Sequence, residues 1–195
     1  RTLDAMTGEK QLKIASETIY LFAPLAHRLG LYAIKTELED LALKYTEPEV
    51  YYTITSKLAE SEVSRTRFIN KFIYPIKKAL AEQGLKVQII GREKSIYSIW
   101  NKMKAKQIPF EEVFDLFAVR IVIDAPLESE KYLCWQAYSI VTDFYNPKQN
   151  RLRDWISNPK ANGYESLHTT VMSHTGQWVE VQIRSKRMNE IAEKG

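Results

Sequence analysis

The sequence predicts an α+β protein in which an all-helical segment precedes a mixed β-sheet flanked by helices. Residues before Gly84 carry apolar side chains at helical spacing and include no convincing strand. From Gly84 onward the period changes, and short strand-like runs alternate with helical patterns. These observations predict a helical segment over residues 1–83 and a domain built on a mixed sheet over residues 84–195.

The helical segment is predicted to contain three stretches. Apolar residues repeat at helical spacing over Leu12–Leu29 and again over Leu31–Lys44. A longer pattern begins near Pro48, which a first helical turn tolerates, and runs to Leu80. Pro75 lies inside this pattern and lacks the N–H that a helix interior uses, so we expect a kink or an interruption there.

Strands and helices alternate in the second part. The predicted strands are Lys86–Ile90, Phe114–Asp124, Ser166–Ser173 and Trp178–Arg184, and the predicted helices are Ser95–Ala105, Glu128–Phe144 and Lys186–Lys194. Both faces of the run from Leu116 to Ile123 are apolar, which predicts a central strand buried on two sides.

Composition places the chain among ordinary globular proteins. It is 45% hydrophobic and 27% charged, with a net charge of +4 that suits polyanionic ligands such as nucleotides or RNA without identifying one. The single cysteine, Cys134, excludes an intramolecular disulfide and is predicted to be a core residue rather than a nucleophile. The single cysteine fits a reducing cytosol, so a cytoplasmic protein is predicted. No run approaches the roughly 18 apolar residues of a membrane helix, so no membrane partner is predicted.

Several common phosphate and metal motifs are absent from the sequence. It contains neither G-x-x-x-x-G-K-[ST] nor G-x-G-x-x-G, which excludes both common backbone cradles for phosphate. It also contains no H-E-x-x-H, His-Asp or Cys-pair motif of a protein-built metal cage. A nucleotide enzyme with this sequence would have to hold phosphates with cationic side chains and with a carboxylate-bound Mg²⁺.

Cationic residues follow the first predicted strand, in the stretch GREKSIYSIWNKMK. Arg92 and Lys94 lie at the strand's exit, and Lys94, Ser98 and Lys102 are spaced to share one helix face. Ser95 is placed to cap that helix, whose N-terminus favours an anion. A solvated basic helix face explains the same spacing without any ligand.

Asp115 lies at the start of the apolar strand, and Arg120 lies within it. Burying either charge is costly unless it is satisfied. An ion pair between them would satisfy both, but residues five apart point to opposite faces of a regular strand. The pair therefore needs a bulge, or an Asp115 that precedes the strand; separate roles for the two residues fit equally well.

Glu180 is the other strand carboxylate that could serve a metal. In WVEVQIRS, Val179, Val181 and Ile183 alternate with polar residues, so Glu180 shares its face with Gln182 and Arg184. A polar face on an edge strand would explain this pattern without function. Alternatively, Asp115 and Glu180 form a two-carboxylate Mg²⁺ site. The loop RLRDWISNPKANGYESLHTT would then supply further cations around an Asn-Gly turn.

Four stretches carry a family resemblance. GREKSIYSIWNKM, EEVFDLFAVRIVI, RLRDWISNPKANGYESLHTTV and WVEVQIRSKRMNEIAEKG resemble, in order and spacing, the synthetase domain of the RelA/SpoT homologue family. RTLDAM and ETIYLFAPLAHRLGLYAIKTELEDLALKY resemble the last helices of that family's His-Asp hydrolase domain and the connector that follows it.

The resemblance implies a nucleotidyltransferase-like fold and a (p)ppGpp synthetase, or GTP pyrophosphokinase, of the stringent response. Such an enzyme moves the β,γ-diphosphate of ATP to the 3′-hydroxyl of GTP or GDP and releases AMP. Its partners would be these nucleotides and Mg²⁺. On the ATP side, the resemblance implies that Arg92 and Arg120 sandwich the adenine, while Lys94, Ser98 and Lys102 hold the phosphates.

The resemblance also implies roles at the metal and the acceptor. Asp115 would bind Mg²⁺, and Glu180 would bind the metal or take the 3′-hydroxyl proton. Tyr164 would stack on guanine, with Asn162 beside the base edge. The acceptor's phosphates would meet Arg153, Lys160 and His168, and Gln182 would lie near the acceptor.

One letter departs from the family pattern. Bifunctional relatives usually show Arg-x-Lys-Asp where this chain has RLRD, so Arg153 replaces a lysine. The charge remains, but a guanidinium is a planar fork and not a point charge. The resemblance therefore implies no preference between GDP and GTP.

Two further expectations concern activities outside the synthetase site. None of His27, His168 and His174 is followed by Asp, so no hydrolase activity is expected from this fragment. The family's ribosome contact belongs to a C-terminal region that this sequence lacks, so no direct nucleic-acid binding is expected.

Two other functions remain as alternatives. One is a catalytically inactive guanine-nucleotide-binding regulatory module of the same fold. The other is an RNA-binding domain that uses the basic loop; the absence of an aromatic RNP strand and of a GXXG loop argues against it.

Overall fold

A computed structural model describes residues 2–113 and 116–194 of the chain. Its helices are α1 (Gly8–Glu17), α2 (Ala23–Arg28), α3 (Tyr32–Thr46), α4 (Pro48–Glu82), α5 (Ile96–Lys106), α6 (Glu130–Phe144) and α7 (Lys186–Lys194). Its strands are β1 (Val87–Glu93), β2 (Phe117–Ile123), β3 (Arg153–Asp154), β4 (Leu167–Met172) and β5 (Trp178–Ser185). The predicted α+β class, with a mixed sheet flanked by helices, is confirmed. The first residues of the predicted second strand, Phe114 and Asp115, lie outside the described residues.

The described chain divides into two compact units. The first contains the residues up to Ser61, the segment Ser95–Val113 and the end of the chain from Glu193. The second contains Glu62–Lys94 and the described residues from Leu116 to Ala192. The first unit therefore includes α1, α2, α3 and α5, and the second includes the whole sheet. The domain boundary between residues 83 and 84 stays a prediction.

Besides Pro48, which begins α4, two described prolines lie within the α-helices. A π-helical turn, Thr18–Phe22, joins α1 to α2, and Pro24 follows it in the first turn of α2, where a missing N–H costs little. Helix α4 continues through Pro75, so the expected interruption is wrong. The lost hydrogen bond is offset because Phe72, Ile76 and Leu80 of the same helix are buried in the second unit's core.

The sheet has the strand order β1-β2-β5-β4-β3. Strands β2 and β5 run parallel, and the other neighbours are antiparallel. Strand β5 thus lies in the middle of the sheet, hydrogen-bonded on both sides. The explanation of its polar face as an edge-strand pattern is therefore wrong.

The two faces of the sheet differ in chemistry. Val119, Ile121, Val181 and Ile183 are fully buried on one face and pack in a core shared with α4 and α6. Every residue of β2 is buried, which confirms the prediction of a central strand buried on two sides. The opposite face carries the polar positions of β5 and is where the candidate site lies.

Cys134 is confirmed as a core residue. Its side chain on α6 is fully buried. Burial first, and the neighbouring Glu130 and Glu165 second, raise the pKa of its thiol to about 12, which disfavours the nucleophilic thiolate. Among the described helices, none combines the length and apolar character needed to cross a bilayer, not even the long α4.

Candidate functional site

The register of the sheet brings six of the predicted residues to one face: Arg92, Arg120, Arg153, His168, Glu180 and Gln182. Directly paired residues project to the same side of a sheet, so each row across the strands forms a line of neighbours. One row contains Ile90, Arg120, Gln182, His168 and Arg153. The adjacent row contains Arg92, Ala118, Glu180 and Thr170. Residues from all five strands, up to 92 positions apart in sequence from Ile90 to Gln182, therefore share one face.

Glu180 lies at the centre of this face. Its Oε1 accepts a hydrogen bond from Gln182 Nε2 at 2.9 Å and lies 3.6 Å from His168 Nδ1. Its Oε2 lies 3.9 Å from Lys94 Nζ. Lys94 stands just beyond β1, where its N–H donates to Leu116 O at 2.9 Å. The carboxylate is partly exposed and is thus placed to meet a ligand.

Tyr164 and Arg184 extend this network on the side of β4. Arg184 Nη2 donates to Tyr164 Oη at 2.8 Å and to Gln182 Oε1 at 3.0 Å, and Tyr164 Oη lies 2.7 Å from His168 Nε2. Arg184 is only 2% exposed. Arg184 is not among the predicted site residues, although it shares its face of β5 with Glu180 and Gln182, and this alternation is the sequence signal for it.

His168 is held neutral by its surroundings. Burial is the main cause that lowers its pKa, to about 4; Glu180 acts in the opposite direction, and Arg184, Lys160 and Arg120 lower the pKa further. At neutral pH the imidazole is therefore a hydrogen-bonding group and not a cation. If it meets the acceptor's phosphates, as the family resemblance implies, it does so as a neutral group.

The predicted Asn-Gly turn is confirmed. Gly163 adopts a φ of +75°, which favours glycine, and its N–H donates to Lys160 O at 2.8 Å. Asn162 Oδ1 accepts from the Tyr164 N–H at 3.2 Å, so the Asn162 side chain braces the turn.

Tyr164 is covered rather than open. Its exposed fraction is 7%, and Lys160 Nζ and Arg184 Cζ lie 5.0 and 5.2 Å from its ring centroid. Lys160 Nζ is also 5.0 Å from the Trp155 ring. Stacking of guanine on Tyr164 stays a prediction, and it requires a covering side chain such as Lys160 to move.

Arg153 reaches the site through a strand that the sequence pattern does not predict. The two-residue β3 pairs Arg153 with His168. Arg153 Nη1 donates to the carbonyl oxygens of Asn150 and Leu152, at 3.2 and 3.3 Å. The following Asp154 accepts backbone N–H bonds at Oδ1 and starts a turn. Two residues are too few to show a strand period, which is why only the structure reveals β3.

Arg92 and Arg120 occupy the other side of Glu180. Arg92 is an exposed residue of β1, paired with Ala118. Arg120 is 8% exposed on β2, and its Nη1 donates to Asn189 Oδ1 of α7 at 3.3 Å. Asp115 lies outside the described residues, so its pairing with Arg120 stays untested.

Ser98 and Lys102 lie on α5, in the first unit, whereas Lys94 belongs to the second. The predicted cap of α5 is confirmed, because Ser95 Oγ accepts from the Ser98 N–H at 3.2 Å. Ser95 Oγ also donates to Ser98 Oγ at 2.8 Å. That Lys94, Ser98 and Lys102 hold the same phosphates stays a prediction.

The predicted Mg²⁺ site would have few protein ligands. Within residues 2–113 and 116–194, no three His, Cys, Asp or Glu side chains converge on a possible metal position. Mg²⁺ commonly uses only one or two carboxylates and takes its other ligands from substrate phosphates and water. The partly exposed Glu180 fits that requirement, and the partnership with Asp115 stays a prediction.

Comparison with known proteins identifies relatives of the chain. The family described as "Region found in RelA / SpoT proteins" matches residues 91–195. A GTP pyrophosphokinase of Myxococcus xanthus is 43% identical over the whole chain, which covers 25% of that protein. A guanosine-3′,5′-bis(diphosphate) 3′-pyrophosphohydrolase of Vibrio cholerae is 40% identical over the whole chain, which covers 27% of it. The chain thus spans about a quarter of the length of these relatives.

Solved structures also resemble the chain. Small alarmone synthetase 1 from Bacillus subtilis, bound to its product pppGpp, is 22% identical with a TM-score of 0.47, covering 64% of this chain and 70% of that one. Small alarmone synthetase 2 from the same organism is 22% identical with a TM-score of 0.48, covering 70% and 74%.

Proposed function

The chain belongs to the RelA/SpoT family, and from this premise we propose that it is the diphosphate-transferring part of a (p)ppGpp synthetase of the stringent response. It would transfer the β,γ-diphosphate of ATP to the 3′-hydroxyl of GTP or GDP, giving AMP and pppGpp or ppGpp. The relatives include proteins named for synthesis and proteins named for hydrolysis, so the family alone does not select the reaction.

One observation carries the proposal: a carboxylate on the central strand has cationic side chains on both of its sides along the sheet. Glu180 on β5 has Arg92, Lys94 and Arg120 on the side of β1 and β2. On the side of β4 and β3 it has Arg153, paired with His168. Diphosphate transfer joins two polyanionic substrates at one reacting centre, and this arrangement offers a cationic side for each of them.

In this transfer the protein forms no covalent bond to either substrate. The acceptor's 3′-oxygen bonds to the β-phosphorus of ATP, the bond from that phosphorus to the α,β-bridging oxygen breaks, and AMP leaves with that oxygen. Lys94 and Arg120 would neutralise charge on the donor, and Arg153 and Lys160 on the acceptor. Mg²⁺ held by Asp115 and Glu180 would supply further charge neutralisation. The 3′-hydroxyl proton would go to Glu180 where Glu180 acts as the base, and to solvent water where Glu180 binds the metal.

The test is direct assay of the product. The protein is incubated with Mg²⁺, ATP labelled in its γ-phosphate and either GDP or GTP, and the 3′-diphosphorylated nucleotide is measured. Asp115→Asn and Glu180→Gln are each expected to abolish the product, by at least about 100-fold. Asp124→Asn is the matched control, since Asp124 follows the other end of β2 and is paired with Lys186 at 2.8 Å.

The assay also separates the proposal from its alternative, an inactive guanine-nucleotide-binding module. Folded protein that binds ATP and GTP but makes no product would support the inactive module and contradict the proposal. Near-normal turnover by Glu180→Gln would show that the reacting centre has been placed wrongly. Comparison of kcat/KM for GDP and GTP, in wild type and Arg153→Lys, measures what the exchanged cation does to acceptor choice.

We also propose that this segment does not hydrolyse ppGpp by itself. Its three histidines occur without the adjacent Asp of the family's hydrolase motif. Incubation with ppGpp and Mn²⁺ is expected to release no pyrophosphate, and measurable release would contradict this part of the proposal.

A further inference from the structure

Five side chains of the candidate site form a closed ring of contacts. Arg184 Nη2 donates to Gln182 Oε1 at 3.0 Å, and Gln182 Nε2 donates to Glu180 Oε1 at 2.9 Å. In the other direction, Arg184 Nη2 donates to Tyr164 Oη at 2.8 Å, which lies 2.7 Å from His168 Nε2. His168 Nδ1 closes the ring at 3.6 Å from Glu180 Oε1, an electrostatic contact longer than a hydrogen bond.

Arg184 determines which atoms donate and which accept in the two arms of this side-chain ring, the arm through Gln182 and the arm through Tyr164 and His168. A guanidinium can donate hydrogen bonds but cannot accept them. The Gln182 oxygen must therefore face Arg184, which turns the amide N–H groups toward Glu180. The Tyr164 oxygen likewise accepts from Arg184, so its one proton is available to His168 Nε2. With Tyr164 as the donor to Nε2, the proton of the neutral imidazole resides on Nδ1, facing Glu180.

Both arms thus end in N–H groups directed at the same oxygen of Glu180. The other oxygen, Oε2, faces Lys94 at 3.9 Å. Arg184 is only 2% exposed, whereas Glu180 is partly exposed, so Arg184 is poorly placed to touch a nucleotide.

We propose that Arg184 is a positioning residue: through the side-chain ring it fixes Oε1 of Glu180, so that Oε2 is the oxygen that acts on the metal or on the 3′-hydroxyl. This assignment rests on the proposed function for the reaction it serves. The ring itself does not, because its geometry is a property of the protein without substrate. A hydroxyl on Tyr164 gains a second role here, separate from any stacking by its ring.

The first experiment tests the hydrogen bonds of the side-chain ring without measuring enzyme activity. Protein labelled with ¹⁵N-histidine is examined at pH 8 by long-range ¹H–¹⁵N correlation, which reports the tautomer of each neutral imidazole. The chain has three histidines, so His168→Asn assigns the signals of His168. Wild type is expected to carry its proton on Nδ1. Tyr164→Phe and Arg184→Met are expected to shift His168 toward a mixture of tautomers, because each removes one link of the arm.

Thr169→Val is the matched control for this measurement. Thr169 follows His168 on β4, points to the opposite face and is 2% exposed, and its hydroxyl makes no hydrogen bond to any described residue. Its substitution is expected to leave the His168 tautomer unchanged. The same tautomer in wild type, Tyr164→Phe and Arg184→Met would overturn the inference, whether or not the protein is active.

The second experiment separates positioning from binding. Tyr164→Phe keeps the aromatic ring and removes only the hydroxyl. We expect kcat to fall roughly 10- to 100-fold while KM for GTP and ATP changes by less than about threefold. Arg184→Lys, which still only donates, should retain more of kcat than Arg184→Met. Wild-type kcat in both Tyr164→Phe and Arg184→Met would overturn the positioning role.

The two experiments fail separately. An inactive wild type with the expected tautomer changes would contradict the proposed function and leave the ring standing. An active wild type whose tautomer is unchanged in the variants would contradict the ring alone. Tyr164→Phe alters no buried charge, so it keeps the test decisive even where Arg184→Met fails to fold.

Discussion

Gly91 lies where β1 passes close to α4, and its replacement by alanine tests the packing that positions Arg92. A Cβ added at Gly91 would lie 2.8 Å from Ile69 Cγ2 and 3.2 Å from Ile69 Cδ1. Carbon atoms prefer separations of about 3.5–4.0 Å, so the side chain and the strand must move apart. Gly91 has no positive φ, which leaves this overlap as the main effect of the substitution.

Two opposing effects determine how much Gly91→Ala changes the free energy of unfolding. Overpacking of this kind costs about 1–3 kcal/mol, and replacing glycine by alanine inside a strand returns about 0.5–1 kcal/mol. We therefore expect Gly91→Ala to lower the free energy of unfolding by about 1 kcal/mol, a shift in Tm of roughly 2–4 °C for a chain of this size. Because Arg92 is the next residue, we also expect KM for ATP to rise if Arg92 contacts the adenine.

A double-mutant cycle with Ile69→Ala gives the decisive comparison. Ile69→Ala removes both atoms that lie within 3.2 Å of the added Cβ. In that background Gly91→Ala should be neutral or stabilising, giving a coupling energy of about 1–2 kcal/mol. Urea unfolding of the four proteins measures it. Equal destabilisation by Gly91→Ala in both backgrounds would refute the explanation by steric overlap.

Three further predictions concern buried groups. Glu130 accepts hydrogen bonds from Ser185 Oγ at 2.6 Å and from Arg187 Nε at 2.9 Å. Glu130→Ala should therefore lower the free energy of unfolding, measured in urea, by about 2–4 kcal/mol, and Glu130→Gln should lower it less. Equal losses in the two variants would contradict a role for the charge. Because burial raises the pKa of the Cys134 thiol to about 12, iodoacetamide at pH 8 should modify it only in unfolded protein. The pKa of His168 is lowered to about 4, so the unfolded chain binds its proton first, and the free energy of unfolding should fall as pH drops from about 6.5 to 4. An NMR titration of His168 with a midpoint near 6.5 would contradict this last prediction.

Local patterns predicted the elements that carry the site. The strict alternation around Glu180 predicted which face of β5 is polar, and the apolar run from Leu116 to Ile123 predicted a strand buried on both sides. The cap at Ser95 and the turn at Gly163 also followed from residue type. These features depend on contacts within a few residues, and the sequence records those contacts directly.

Other features depend on partners that are distant in sequence. The alternation around Glu180 is equally compatible with an edge strand, and only the strand order shows that β5 is central. The burial of Tyr164 could not be anticipated, because it depends on Lys160 and on Arg184, which lies 20 residues further along the chain. The neutral state of His168 likewise arises from burial and from charges brought to it by other strands.

The sequence by itself determined the period of the longer elements, the polar face of β5 and the family to which the motifs belong. Only the tertiary structure decided which rows align across the strands, and therefore that Glu180, His168 and Arg184 meet in one ring of contacts. The physical reason is that residue spacing fixes the direction of a side chain relative to its own strand. Strand order and register, which are set by packing of the whole sheet, decide which side chains it meets.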